Sequence, residues 1–541
     1  MYRIRRKGRG IAVPLGIVVL HLAIAAMAFQ PAPHPGGDNA VYLSVAQSIL
    51  DGQYRDIFDP ASPRHVVYPP GFPLVIAAAL AAGVGSWIGL KVITILFSGA
   101  LVFLTWVYAR AEGRRIALAS SLAVAISAGV IGLSHWELSD VPFAAFTIAA
   151  LFAWQRVERN DSGVVVAALL TLAAYSIRSA GLPLMVAAFL WLASRKRWRD
   201  VAIMSAIFVP PAAAWWAFAR GQTGYFGQLL VADAYRGGQP RIGIGGLGAR
   251  IVDNVVVYAE RFLPVLVAGR ESQWVLAITM PLLLLAMMEW GVRIGSRDRS
   301  VREFFAPLYL GMVLLWLPQF AGERLLLPLY PVLILYAALA VRRLAGVLPR
   351  RVANTVVVAA SAAFVMAAIP GEMAQVGYGI QCTAQYRNGE PWPCVSEGWR
   401  DFYTISELAG HTIPDDGVVL SRKPAVLFAL SGNKGRLYPF DRDPRVLIDS
   451  ARAAGAGYVV LDYVDEIGSA YVVPAIVRRS RAFCIVHALG PNRAALFGIL
   501  PAADTISDTR ADPGKAEVEE PFRKCGPEYW SEGSFVADGS R

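Results

Sequence analysis

The sequence predicts an α-helical polytopic membrane protein with about 11 transmembrane helices, followed by a C-terminal extracytoplasmic α/β domain. Three observations support this prediction. The 541 residues are 55% hydrophobic and only 17% charged, which is too apolar for soluble domains of ordinary composition. The basic residues cluster between long apolar runs, and all four cysteines lie after residue 370. The bilayer must therefore solvate a large part of the chain.

The charge balance indicates lipid rather than nucleic acid as a partner. Lysine and arginine number 51, against 40 aspartate and glutamate residues, an excess that nucleic-acid-binding proteins also show. Such a protein would mix these charges with polar residues on a soluble surface, whereas here they separate apolar segments. The sequence therefore argues against nucleic acid and favours membrane lipids.

About 11 apolar segments approach or exceed the roughly 20 residues that a helical span requires. We interpret the first, residues 11–29, as an uncleaved span, although a basic N-terminus before an apolar run is also typical of a signal peptide. The segments 163–178 and 181–194 are short and predict a tight hairpin. The other predicted spans are 88–109, 116–134, 141–156, 201–219, 273–292, 303–320, 325–342 and 352–369.

The basic loops predict a plasma-membrane protein with a cytoplasmic N-terminus. Every second loop is then inside, and each of these loops is basic, as the positive-inside rule requires. An odd number of spans places everything after residue 370 outside. The inside basic residues are Arg110, Arg114, Arg115, Arg156, Arg159, Arg195, Lys196, Arg197, Arg199, Arg293, Arg297, Arg299, Arg302, Arg342, Arg343, Arg350 and Arg351.

The cysteines agree with an outside C-terminal segment, because an oxidising compartment permits disulfides. We expect the pairs Cys382–Cys394 and Cys484–Cys525. Four cysteines allow three connectivities, and buried free thiols are the alternative.

The chain changes character near residue 370. Residues 1–370 form the predicted membrane domain, which includes a long first outside loop at 30–87, and residues 502–541 form a polar tail. Residues 371–501 have ordinary polarity and are typical of a small α/β domain. Within them we predict helices at 445–454 and 471–480 and strands at 417–421, 457–463, 483–489 and 494–500.

The first outside loop carries the main candidate for chemistry. In the segment PHPGGDNAVYLSVAQSILDG, Asp38 follows two glycines and begins an amphipathic helical pattern that runs to Leu50. Aspartate is also a common helix N-cap, so a structural role for Asp38 is equally open. The YPPG sequence at 68–71 predicts a stiff turn into an apolar stretch at 72–84, which is too short to cross. We interpret that stretch as a half-embedded helix.

Two acidic residues, Glu137 and Asp140, lie in the short second outside loop. Acidic residues at a span end either mark the water boundary or serve a site. In the second case they would face Asp38 across a shared cavity, where they would bind a metal or orient an acceptor.

Two arginines, Arg178 and Arg324, lie at predicted outside ends of spans, against the positive-inside bias. A guanidinium matches the oxygens of a lipid phosphate. The alternatives are salt bridges, Arg324 with Glu323 or Arg178 with Glu137, or contact with ordinary lipid head groups.

The glycine-rich segment GGQPRIGIGGLG lies within a predicted outside loop at 221–260. It predicts either a mobile flap that closes over the acceptor or a flexible connector.

Together these segments resemble the GT-C superfamily of membrane glycosyltransferases, in particular the branch with the protein O-mannosyltransferases and the lipid A aminoarabinose transferases. The resemblance covers about residues 1–370 and rests on the order of GGDNAVYLSVAQSILDG, YPPGFPL, ELSDVPF and ERLLLPLYP. It implies that Asp38 is the catalytic base, that Glu137 and Asp140 help to form the site, and that Arg324 lies near the lipid phosphate. The O-mannosyltransferases have an Asp-Glu pair where this chain has Asp38-Asn39, which argues against a protein acceptor and against a metal.

The predicted function is therefore transfer of a sugar from a polyprenyl-phosphate donor to an extracytoplasmic acceptor, with inversion at the anomeric carbon. Nucleotide sugars are normally confined to the cytoplasm, so a lipid phosphate is the activated donor available outside. Arg324 and Arg178 would stabilise the leaving phosphate, and Tyr42 and Tyr68 are further substrate-binding candidates. The acceptor is a glycolipid, a polysaccharide or a protein.

Two other classes of membrane protein are alternatives to this interpretation. A secondary transporter usually has two related halves and charges at mid-membrane, whereas the candidate charges here gather at one face. A noncatalytic lipid-binding membrane protein would make Asp38 dispensable. The sequence has no P-loop, no HExxH zinc motif and no nucleophile elbow with plausible partners. The sequence indicates no specific cofactor, and a divalent metal held by Asp38, Glu137 and Asp140 is left open.

Overall fold

The computed structural model describes residues 4–160, 162–220, 229–236, 241–296, 299–500 and 523–526. Contacts divide the chain into two compact units. The helical unit comprises Met1–Pro33, Val66–Leu230 and Ile242–Pro393. The α/β unit comprises His34–His65, Val231–Arg241 and Cys394–Arg541.

The described part of the chain is mostly helical. Its helices, numbered along the sequence, are α1 (Ile4–Met27), α2 (Asp38–Leu50), α3 (Gly71–Ala81), α4 (Trp87–Ala109), α5 (Arg114–Ala125), α6 (Ala128–Ser134), α7 (Asp140–Asn160), α8 (Val164–Ile177), α9 (Leu182–Ser194), α10 (Trp198–Phe218), α11 (Ile244–Val257), α12 (Leu263–Ala268), α13 (Gln273–Ile294), α14 (Val301–Leu315), α15 (Tyr330–Val347), α16 (Arg350–Arg387), α17 (Glu397–Thr412), α18 (Pro424–Ser431), α19 (Pro444–Ala454) and α20 (Glu466–Arg478).

Several helices of the helical unit fit a membrane. Among the described residues, 5 helices are long and apolar enough to cross: α4, α10, α13, α15 and α16. The pair α5 and α6, bent by 57°, would make a sixth span. The shorter helices α8 and α9 are apolar and lie where the sequence predicts the tight hairpin. The protein is therefore a multi-pass membrane protein, and the total of about 11 spans stays a prediction.

Glu112 links its own loop to two other basic loops that we predict to be inside. Glu112, just after α4, lies 2.9 Å from Arg302 Nη2 and 3.4 Å from Arg293 Nη1. Its other oxygen lies 3.6 Å from Arg342 Nη2. The ends of α4, α13 and α15 and the start of α14 therefore meet.

The other two basic loops lie at the same end of the helical unit. The backbone N–H of Val301 donates to Glu158 at the end of α7 over 2.9 Å. Arg197, between α9 and α10, donates to the carbonyl of Val157 over 3.4 Å. These contacts link all five predicted inside loops in one series, which is the arrangement that alternating spans would produce.

The α/β unit contains a five-stranded sheet in the order β2-β1-β3-β5-β4. Strands β1, β2 and β3 are parallel, whereas β5 is antiparallel to both β3 and β4. The strands are β1 (Val418–Ser421), β2 (Gly435–Leu437), β3 (Ala456–Leu461), β4 (Phe483–Ala488) and β5 (Ala495–Ile499). All six residues of β3 are buried, as expected for a central strand covered on both faces.

The first-loop segment at 34–65 belongs to the α/β unit, a grouping that the sequence analysis does not predict. The backbone N–H of Gly435 in β2 donates to the carbonyl of Phe58 over 2.8 Å. Next to it, Arg436 forms an ion pair with Asp59 at 2.7 Å. Helix α2 also packs against α18. Because α16 continues to Arg387, residue 370, the predicted domain boundary, lies inside a continuous helix.

All four cysteines are disulfide-bonded. Cys484, in β4, is bonded to Cys525, and Cys382 and Cys394 are disulfide-bonded as well. The short segment at 523–526 runs beside β4, where the Ile485 N–H donates to the Arg523 carbonyl over 3.0 Å. The rest of the predicted tail, 502–522 and 527–541, lies outside the described residues.

Candidate functional site

The predicted site residues divide between the two units. Asp38 and Tyr42 lie in the α/β unit. The helical unit contains the other five, which are Tyr68, Glu137, Asp140, Arg178 and Arg324. That all seven converge on one pocket stays a prediction.

Asp38 is the first residue of α2, and the N-cap is Gly37. The interpretation of Asp38 as the cap itself is therefore wrong by one residue. Gly37 has φ 98, in the left-handed region that favours glycine. Directly after this turn, the Asp38 carboxylate lies in the first helical turn, where the helix dipole stabilises negative charge.

The neighbours of Asp38 hold the turn. The Asn39 side-chain amide donates to the carbonyl of His34 over 3.2 Å, and Asn39 is buried. A carboxylate at position 39 could not donate this bond, which gives a structural reason for asparagine here. Tyr42, one turn along α2, is 2% exposed.

In the helical unit, Glu137 forms a buried ion pair with Lys91, whose Nζ lies 3.0 Å from Oε1. The same Nζ donates to the carbonyl of His135 over 2.6 Å. Lys91 lies in α4 and is 1% exposed. The Glu137 carboxylate is therefore neutralised by a lysine that the sequence analysis does not single out.

Asp140 begins α7 and pairs with Arg178, whose Nη1 lies 2.7 Å from Oδ1. Arg178 Nη1 also donates to Ser139 Oγ over 3.3 Å. Arg178 therefore forms a salt bridge with Asp140, a pairing that the sequence does not predict. Oδ2 of Asp140 is buried, and within the described part of the chain it has no hydrogen-bond partner.

Arg324 lies in a short helical turn, Glu323–Leu325, and is half-buried. It interacts electrostatically with the buried Tyr258. Tyr258 in turn interacts electrostatically with the buried Tyr309. Arg178 and Asp140 also interact electrostatically with Tyr309. The charge of Arg324 thus acts on Tyr258, and the charge of Arg178 acts on Tyr309.

The YPPG turn that contains Tyr68 packs on the end of α8. A Cβ atom added to Gly71 would lie 2.5 Å from the backbone carbonyl oxygen of Ser176, so only glycine permits this approach. Arg178 lies two residues after Ser176. The turn and the arginine segment, predicted separately, therefore lie together.

Sequence reasoning missed two cations, Lys91 and Lys423. Lys91 could have been found, because a lone lysine inside an apolar helix usually has a specific partner. Lys423 lies two residues after β1, and its Nζ donates to the carbonyl of Gly36 over 2.7 Å. No local pattern connects these two residues, which are 387 positions apart.

Within the described ranges, no group of three or more His, Cys, Asp or Glu residues is arranged to hold a metal ion. Glu137 and Asp140, two of the three candidate ligands, are each paired with a cationic side chain.

The glycine-rich segment is partly helical. Helix α11 starts at Ile244 and includes three glycines of this segment, which predicts a flap or a connector. Residues 221–228 and 237–240 lie outside the described residues.

No known protein family profile matches the chain, and no curated protein matches it either. Solved structures do match. ArnT from Cupriavidus metallidurans bound to undecaprenyl phosphate superimposes with a TM-score of 0.55 at 12% identity, covering 90% of this chain and 98% of that chain.

A second match is the archaeal oligosaccharyltransferase AglB from Archaeoglobus fulgidus, in complex with an inhibitory peptide and a dolichol-phosphate. Its TM-score is 0.55 at 14% identity, covering 93% of this chain and 75% of that chain. At these identities the similarity concerns the fold. The chain therefore has the fold of the GT-C membrane glycosyltransferases, as the motif resemblance predicts.

Proposed function

We propose that the protein is a glycosyltransferase that moves a sugar from a polyprenyl-phosphate donor to an acceptor outside the cytoplasm. The observation that carries this proposal is the fold, shared over 90% or more of this chain with two proteins whose structures hold undecaprenyl phosphate or dolichol-phosphate. The acceptor is a glycolipid, a polysaccharide or a protein. The predicted orientation, with the N-terminus inside and the α/β unit outside, belongs to the same proposal.

Asp38 is the proposed general base. Its carboxylate accepts the proton of the acceptor hydroxyl while that oxygen forms a bond to the anomeric carbon. The bond between the anomeric carbon and the phosphate oxygen breaks, and its electron pair leaves with the polyprenyl phosphate. This single displacement inverts the anomeric configuration.

The proposed phosphate cradle is Arg324 together with Arg178. The leaving phosphate gains negative charge, which cationic donors stabilise. Arg178 is already paired with Asp140, but a guanidinium has five N–H donors and can bind a second anion. Lys91 and Arg178 neutralise Glu137 and Asp140, so these carboxylates would not repel the phosphate.

The test replaces Asp38 with asparagine. Asp38→Asn should lower kcat by about 100-fold or more because the proton acceptor is lost, while the lipid donor still binds. Detergent-solubilised host membranes would supply all three acceptor classes, and the assay measures polyprenyl phosphate released from a panel of polyprenyl-phosphate sugars. Asp51→Asn is the matched control, since Asp51 is exposed at the other end of α2. Full activity of folded Asp38→Asn would exclude Asp38 as the base, and no release by the wild type from any donor would exclude the function.

A further inference from the structure

The α/β unit places a lysine beside the turn that presents Asp38. Lys423 Nζ donates to the Gly36 carbonyl over 2.7 Å. A Cβ atom added to Gly37 would lie 3.2 Å from Lys423 Cδ, so the lysine stem also packs against the turn. Lys423 and Asp38 attract each other electrostatically.

The position of Lys423 follows from the sheet. Strand β1 ends at Ser421, whose hydroxyl accepts a hydrogen bond from the Lys423 N–H over 3.2 Å, and α18 begins at Pro424. Ligands of parallel sheets are usually handled at the carboxyl ends of the strands, where neighbouring connections diverge. In the order β2-β1-β3, that point lies at the end of β1. Because α18 packs on α2, the same connection faces the Asp38 helix.

Lys423 lies partly buried among aromatic and charged side chains. The side chain is half-buried, and its Nζ lies 5.9 Å from the centre of the Trp399 ring. Burial lowers the pKa of the Lys423 ammonium, and the neighbouring Arg422 lowers it further. Asp38, Asp465 and Asp462 raise this pKa in turn.

The other charges near Lys423 have partners elsewhere. Arg422 forms an ion pair with Asp465 at 3.2 Å and stacks on the Tyr235 ring at 4.6 Å. Asp462 accepts a hydrogen bond from the Val464 N–H over 3.3 Å, and burial raises the pKa of Asp462 to about 6. Asp465 is thus paired with Arg422, and Asp38 is the carboxylate that acts most strongly on the Lys423 ammonium.

We propose that Lys423 is a positioning residue for Asp38. It holds the turn at 36–38 through the Gly36 carbonyl, and its positive charge keeps the Asp38 carboxylate in place until the acceptor hydroxyl arrives. This inference rests on the proposed role of Asp38 as the base. It assigns to the α/β unit a part in the reaction.

The experiment measures kcat and KM for sugar transfer from the polyprenyl-phosphate donor with full-length wild type, Asp38→Asn, Lys423→Met, Lys423→Arg and the double variant Asp38→Asn/Lys423→Met. Lys423→Met should lower kcat by about tenfold or more with KM for the lipid donor nearly unchanged. Lys423→Arg should regain part of this loss. The double variant should be no slower than Asp38→Asn, because Lys423 acts through Asp38. Lys434→Met is the control, since Lys434 is an exposed lysine of the same unit.

The outcomes separate the two proposals. If Asp38→Asn is slow but Lys423→Met has the kcat of the wild type, only the positioning role is overturned. A further loss in the double variant beyond Asp38→Asn has the same meaning. If Asp38→Asn transfers normally, the base assignment and the positioning role both fail.

A second pair of variants covers the case in which Lys423→Met does not fold. Gly37 and Gly52 flank α2 and both have positive φ, 98 and 72, so alanine strains the backbone at both sites. Only at Gly37 does the added Cβ press on Lys423, whereas nothing lies within 4 Å at Gly52. Gly37→Ala should lower kcat more than Gly52→Ala, and equal kcat values would overturn the positioning role.

Discussion

At the scale of single residues, the helical unit places its acidic candidates in buried ion pairs. Glu137 is paired with Lys91, and Asp140 is paired with Arg178. Removing charges from water is costly, so a buried carboxylate needs a cation or strong donors close by. The sequence indicates the acids and Arg178, but it does not indicate which cation serves which acid.

We predict that the Lys91–Glu137 pair is needed for stability as a pair. Lys91→Met leaves the Glu137 carboxylate buried without its counterion and should lower the free energy of unfolding by about 3–5 kcal/mol. The double variant Lys91→Met/Glu137→Gln removes both charges and should recover most of this loss. Thermal unfolding of the purified protein in detergent measures both effects. A double variant as unstable as Lys91→Met alone would contradict the pairing.

The hydrogen bond of Asn39 gives a structural reason for the departure from the Asp-Glu pair of the O-mannosyltransferases. Asn39 donates to the His34 carbonyl, and so it ties the polypeptide before Gly36 to the start of α2. The difference is therefore a feature of how the turn is held.

At the scale of elements, short turns bring the predicted motifs together. The YPPG turn begins α3, an 11-residue helix at Gly71–Ala81, and packs on the end of α8. The expected half-embedded helix thus exists as a short apolar helix. Its depth in the membrane stays a prediction.

Gly71 is the contact that this packing depends on. Gly71→Ala would place a Cβ 2.5 Å from the Ser176 carbonyl oxygen, and such overpacking costs about 1–3 kcal/mol. We expect a lower thermal unfolding midpoint and weaker sugar transfer, since the turn carries Tyr68 next to the Arg178 segment. Gly85→Ala, where the nearest atom lies at an ordinary 3.8 Å, serves as the control and should behave as the wild type. Equal unfolding midpoints for the two variants would show that α3 and α8 can move apart without loss of stability.

At the scale of the whole molecule, the basic loops are the strongest sign of orientation. Contacts at Glu112, Glu158 and Val157 link all five predicted inside loops in one series. Lysine and arginine near span ends resist transfer across the membrane. Their common end of the helical unit should therefore face the cytoplasm.

Reporter fusions test this orientation. Alkaline phosphatase, which needs an oxidising compartment for its disulfides, should be active when fused after Arg541 and inactive when fused after Gly295, in a predicted inside loop. The number of spans between these two points is then odd. Activity of the Gly295 fusion would contradict the predicted sidedness.

Hydropathy and the spacing of basic residues were enough to predict a multi-pass helical membrane protein followed by a small α/β region. Hydropathy and charge belong to individual residues, so their pattern along the chain does not depend on which residues are in contact. The same holds for the helix that starts at Asp38, whose amphipathic pattern is local, and for β3, β4 and β5. Strand β2, with only three residues, and helices α17 and α18 carried no pattern that we recognised.

The contacts between distant residues became visible in the folded chain. The tertiary structure joined the first-loop segment at 34–65 to the α/β unit, paired Arg178 with Asp140, and brought Lys423 to the turn before Asp38. Each of these contacts joins residues that are far apart in the chain, and its free energy depends on burial and on the exact distance between two groups. A local pattern contains neither quantity, so these pairings could be found only from the folded chain.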